Sequence, residues 1–187
     1  MAPSLLVHTL RAGTQMIDGL GRSAHIMPKQ FEGLPAFVIP YGIEHIASTG
    51  LDLWLSSLTY GFAEVMLLLS GDEDPAYRAA LEDQTNLANS ILKAYGFDEC
   101  IHLISASSVD DLSTLSKAMG SLRQRGALNS ICAPATIALS NQKRETLEAV
   151  LEHLQKQAKT PLPEAGVVLP KSSLLGGLVI NKDACTL

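Results

Sequence analysis

The sequence has no excess of positive charge. Its 187 residues carry 14 Lys and Arg against 19 Asp and Glu, a formal net charge of −5, and His, Lys and Arg cluster nowhere. Binding a phosphate backbone calls for a basic face, so the composition offers no electrostatic basis for a nucleic-acid partner. Long apolar runs are also missing. No stretch approaches the ~20 apolar residues of a membrane helix, so no membrane span is expected. The opening "MAPSLLVHTL" lacks a basic n-region, and its apolar run is too short for a signal peptide. Cysteine is scarce: Cys100, Cys132 and Cys185 are odd in number and far apart, which is not a disulfide framework. A reducing cytoplasm is the expected compartment.

Several chemical signatures are absent as well. "HTLRAGTQM", after the first apolar run, has one glycine, and "GLGRSA" has Gly19 and Gly21 but no third. Neither a dinucleotide fingerprint nor a P-loop is supported. No serine sits in a G-x-S-x-G elbow, so a hydrolase triad has no anchor. The histidines His8, His25, His45, His102 and His153 show no paired metal spacing.

What is present is apolar material in an orderly alternation. Apolar residues make up 47% and charged residues 18%, enough for a sizeable core and against disorder. The length suits one domain with a small appendage. "SLLVHT" (Ser4 to Thr9), "AFVIPY" (Ala36 to Tyr41), "EVMLLLSG" (Glu64 to Gly71) and "CIHLISAS" (Cys100 to Ser107) read as buried strands. Helical spacing follows each: roughly Ala12 to Arg22, Leu51 to Tyr60, the stretch after Pro75, and "SVDDLSTLSKAM". Asp74 can cap the third helix, Pro75 suits its first turn and Gly96 its stop. Tyr77, Ala80, Leu81, Ala88, Ile91, Leu92 and Tyr95 form its expected apolar face. "APATIAL" (Ala133 to Leu139) is either a fifth short strand or a loop, and "NQKRETLEAVLEHLQKQ" is a final helix.

This alternation predicts an α/β fold: a doubly wound, flavodoxin-like three-layer sandwich on a mostly parallel sheet of four or five strands. The pattern changes after Thr160. Residues 1–160 read as the sandwich, and residues 161–187 as a connecting segment and irregular hairpin.

Doubly wound folds bind ligands at the carboxyl ends of their strands. Here those ends carry His8, Tyr41, Ser70 and Asp72, with His45 and Ser48 just beyond the second strand. A small ligand there would face helix N-termini; the plain structural alternative is a set of loop residues capping helices. Asp72, Glu73 and Asp74 suit either a hard cation or helix capping. His102 reads as a structural strand residue. Cys100 and Cys132 read as buried free thiols. Cys185 differs, lying in the polar tail "KDACTL".

Three stretches carry a resemblance: "FVIPYGIEHIASTGLDLWLSSLTYGFAEVMLLL", "GDEDPAYRAALEDQTNLANSIL" and "VVLPKSSLLGGLVINKDACTL". Together they resemble a bacterial family of multi-cluster 4Fe-4S ferredoxin-type proteins, in which a flavodoxin-like domain lies between iron-sulfur segments. The resemblance covers nearly the whole chain. Its most specific part is the tail, where Leu169-Pro170, Gly177, Val179, Asp183 and Cys185-Thr186-Leu187 fall in the family's order. It implies that Cys185 is the first ligand of a 4Fe-4S cluster in the intact protein, and that the sequence stops just inside the cluster motif. A four-iron cluster needs four thiolates, so no cluster is expected on these residues alone.

A more distant likeness is to the delta subunit of methyl-viologen-reducing hydrogenase. Its flavodoxin-like domain carries strand-end cysteines for a cluster, whereas this chain has His8, Tyr41 and Ser70 there. The resemblance thus implies a cluster-free scaffold and docking domain of a cytoplasmic electron-transfer protein, without catalytic activity of its own. Its expected partner is a redox protein or other subunits of an oxidoreductase. The alternative is a small-molecule or flavin-binding domain using the strand-end crevice. A dimerisation module would require Trp54, Leu55 and Leu58 to form an exposed patch; burial against the sheet is the expectation.

Overall fold

A computed structural model describes residues 1–71, 73–106, 112–163, 166–173 and 175. The chain alternates β1 (Ser4–Thr9), α1 (Ala12–Ile26), β2 (Val38–Ile43), a 3₁₀ turn (Ile46–Ser48), α2 (Leu51–Thr59), β3 (Glu64–Leu69), α3 (Pro75–Ala94), β4 (Ile101–Ser105), α4 (Leu112–Arg125) and α5 (Lys143–Lys156). The four strands form one all-parallel sheet in the order β2-β1-β3-β4. The order reverses between β1 and β3, which makes their carboxyl ends the switch point of the sheet.

Period-two alternation sends successive strand side chains to opposite faces. Leu5, Val7, Val65, Leu67 and Leu69 meet Trp54, Leu55 and Leu58 of α2, Leu81, Leu87, Ala88, Ile91 and Leu92 of α3, and Val150 and Leu154 of α5 in one core. Leu6, Met66 and Leu68 meet Met16 and Leu20 of α1 and Leu115 and Met119 of α4 in the other. Helices on both faces make a three-layer α/β sandwich. β3 lies inside it, and all six of its residues are buried, as a central parallel strand requires.

Local chemistry explains the ends of α3. The Asp74 carboxylate accepts from Ala76 N at 2.8 Å and Pro75 opens the helix. Gly96 follows it at φ +80°, a conformation that costs an L side chain roughly 1 kcal/mol or more. Tyr77 and Ala80 do not join the buried face as their spacing suggests; they are exposed. Their turn of α3 lies at the strand ends, where Tyr77 lines a crevice instead.

One other expectation shifts, and one open alternative is decided. β2 runs from Val38 to Ile43, two residues later than its apolar run suggests, because the backbone register pairs Ser4 with Val38 and Thr9 with Ile43. It is an edge strand, which is where Pro40, without an N–H, is tolerated. Residues 133–139 form a loop and not a fifth strand. They are tied elsewhere: Ala135 N donates to Thr59 O at 2.7 Å, and Tyr60 Oη donates to Ile137 O at 2.5 Å. β4 is therefore the other edge of the sheet among the described residues.

Beyond Thr160, Leu162, Leu169 and Leu175 lie against the core shared by α2, α3 and α5. Of the expected irregular hairpin over 161–187, residues 176–187, with the Cys185 tail, fall outside the described residues. No helix among the described residues is long and apolar enough to cross a membrane.

Candidate functional site

A crevice of about 850 Å³ opens at the switch point. The β1–α1 turn contributes Thr9 and Arg11, the end of β2 contributes His45 and Ser48, and the β3–α3 turn contributes Ser70 and Glu73. The structure thus brings together three of the residues expected at this end: His45, Ser48 and Ser70.

His8 and Tyr41 are placed elsewhere. His8 is 7% exposed and points to the α1 side of β1. Its Nδ1 lies 3.0 Å from Thr9 O, and a Cβ added to Gly13 would come within 2.8 Å of the His8 Cβ. Glycine at 13 therefore lets α1 sit directly on the histidine. Tyr41 projects outward from the edge strand and is 49% exposed. Asp72 and Cys185 lie outside the described residues.

The hydrogen bonding of the β3–α3 turn shapes the crevice chemistry. One carboxylate oxygen of Glu73 accepts from Ser70 N at 2.8 Å and Ser70 Oγ at 3.0 Å, and the other accepts from Gly71 N at 2.8 Å. Strand-end N–H groups of this kind hold phosphates in many α/β proteins. Here Glu73 already occupies them. Glu44 and Asp74 add acid to the wall, with Arg11 as the counter-charge. At β1, Gly13 N donates to Thr9 Oγ1 at 2.9 Å, and Ser48 Oγ donates to His45 O at 2.6 Å. The crevice suits a polar, phosphate-free molecule better than a nucleotide.

A second polar group lies near the opposite, amino end of the strands. Glu64 begins β3, and its side chain is 2% exposed. Its Oε1 accepts from Ser4 Oγ at 2.6 Å and from Arg125 Nη2 at 2.6 Å. Its Oε2 has no hydrogen-bond partner among the described residues. His102 Nε2 stands 3.7 Å from that oxygen, beyond hydrogen-bond reach. Burial lowers the pKa of His102 from its ordinary 6.5, Arg125 lowers it further, and Glu64 and Glu99 oppose the shift.

The neutral form of His102 is therefore favoured in the folded state. The unfolded chain binds this proton more readily, so the contribution to stability is present above pH ~6.5 and is lost as pH falls below it. The urea midpoint should fall on going from pH 7 to pH 5, and His102→Gln should flatten that dependence. An unchanged slope in the variant would show that His102 is not the titrating group.

Burial favours the thiol over the thiolate at both described cysteines. Burial, with Asp98 and Glu64 adding to it, pushes Cys100 up to about 12, and burial also raises Cys132. Neutral thiols are the inert form. Among the described residues no group of three His, Cys, Asp or Glu side chains is placed to hold a metal ion.

Sequence reasoning missed Glu64 and Arg125, and it read Glu73 as a cation ligand or helix cap and not as the acceptor of the strand-end N–H groups. Glu64 carried one signal, a lone charge opening an otherwise apolar strand. Nothing local marked Arg125 as its partner, 61 residues away. Comparison with models of protein families and with curated proteins finds no match to the chain.

Proposed function

We propose that the chain is the cluster-free, flavodoxin-like domain of a cytoplasmic iron-sulfur electron-transfer protein. In this role it is a scaffold that positions a ferredoxin-type 4Fe-4S segment and docks a redox partner or other oxidoreductase subunits. The observation that carries this reading is the occupied switch point. Glu73 holds the N–H groups of Ser70 and Gly71, so a flavin phosphate there would meet a carboxylate in place of donors. The sandwich is kept while its usual phosphate chemistry is closed off, as a scaffold permits. The tail supplies the second support, since Leu169-Pro170 through Cys185-Thr186-Leu187 follows the order of a cluster segment.

A cluster does not fit the residues in hand. It requires four thiolates, and the tail supplies only Cys185. Any cluster would be built outside the sandwich. Leu175 lies against the core, and the residues between it and Cys185 can span at most roughly 35 Å.

The test is to express the native reading frame past Leu187 and reconstitute it anaerobically with iron and sulfide. The expected result is a thiolate-to-iron absorption band that Cys185→Ser weakens or alters. A stop codon after Leu187, or a colourless extended protein, would overturn the proposal.

The crevice itself favours a second reading. Its volume of about 850 Å³ lies within the roughly 300–1,000 Å³ of small-molecule sites. A thermal-shift response of the 187-residue chain to riboflavin, which carries no phosphate, would replace the scaffold reading with a flavin-binding one.

A further inference from the structure

A cleft of about 290 Å³ lies between the sheet and α4, away from the switch point. Met66 and Ile104 form its sheet wall, Ala118 and Leu122 its helix wall, and Glu64, His102 and Arg125 its polar end. Most of its surface is apolar. Glu64 is the unusual member: a buried charge whose Oε2 has no hydrogen-bond partner among the described residues. A buried carboxylate oxygen is stabilised by a hydrogen-bond donor, and none of the described residues gives one to Glu64 Oε2. His102 Nε2, at 3.7 Å, does not supply it.

We infer that this cleft is a binding site for a small neutral molecule with an apolar body and one hydroxyl or N–H donor. The donor bonds Glu64 Oε2, and the body packs between Met66, Ile104, Ala118 and Leu122. Neutrality follows from the charges present. Arg125 Nη2 already pairs with Glu64 Oε1 at 2.6 Å, so a cation would add uncompensated charge beside the guanidinium, and an anion would meet the carboxylate. The size is that of a single ring: the cleft stands at the small end of ligand sites.

Phenol is the probe, and toluene its counterpart of like shape without the donor. The experiment is a ¹H–¹⁵N titration of the full 187-residue chain. Phenol should produce saturable shifts at the amides of His102, Ile104, Ala118 and Leu122. Toluene should bind about tenfold more weakly or worse, the ratio expected when a buried acceptor is left unpaired. Ala118→Leu, which fills the cleft without touching the Glu64 contacts, should abolish the phenol shifts while leaving a dispersed spectrum. Ser121→Phe, at the exposed rim, makes the same test should the first variant unfold. Absence of saturable shifts at these amides, equal binding of phenol and toluene, or phenol binding unchanged in the filled variant would each overturn the assignment.

Discussion

Arg125→Met is expected to destabilise the chain by about 2 kcal/mol, and most of that loss should vanish when Glu64 is changed as well. Glu64 is buried, and Arg125 is its only charged partner within hydrogen-bond distance among the described residues. Removing one member of a buried ion pair leaves the other charge uncompensated, at about 3–5 kcal/mol when both are buried. Arg125 is 39% exposed, so water softens the penalty. Glu64→Gln removes the charge but keeps an oxygen for the Ser4 hydroxyl, and a loss of about 1 kcal/mol is expected. The double variant should be more stable than the sum of the single losses predicts, by about 1 kcal/mol or more. Urea unfolding followed by circular dichroism measures all three. Simple additivity would show that Arg125 stabilises through its stem packing and not through Glu64.

The largest single loss should come from Trp54→Ala, at about 3–5 kcal/mol. Trp54 is fully buried in the core beneath α2, and its indole N–H donates to Thr49 Oγ1 at 3.1 Å. Truncation leaves a cavity that the neighbouring Leu55 and Leu58, themselves fully buried, cannot collapse to fill. Trp54→Phe should lose clearly less, because much of the volume is retained and Thr49 Oγ1 still donates to Ile46 O at 2.7 Å. Thermal unfolding by far-ultraviolet circular dichroism is the readout, since the change removes the chain's one tryptophan. Loss of less than about 1 kcal/mol in Trp54→Ala would contradict the packing described here. The same burial removes Trp54, Leu55 and Leu58 as a dimerisation patch.

Much of the architecture is legible without coordinates because its signals are local. β1 matches its apolar run residue for residue, and α3 is bracketed by Asp74, Pro75 and Gly96. Local signals fail where a neighbour decides. β2 slides two residues because its register is set against β1. Residues 133–139 have the composition of a strand but are drawn to the end of α2 and to α5, where His153 Nε2 lies 2.9 Å from Ala133 O.

The sites divide in the same way. Fold logic located the crevice end of the sheet and three residues of its lining, because a strand's carboxyl end can be read from its direction in sequence. It could not say that Gly13 brings α1 onto His8, or that Tyr41 turns outward from an edge strand. By itself the sequence determined the element types and the doubly wound class, since periodicity of apolar residues is a property of a segment. Tertiary structure alone decided that Glu73 fills the switch point and that Glu64 is buried with one oxygen unpaired. Hydrogen bonding of a buried charge depends on groups brought together from distant segments, and no local pattern encodes that meeting.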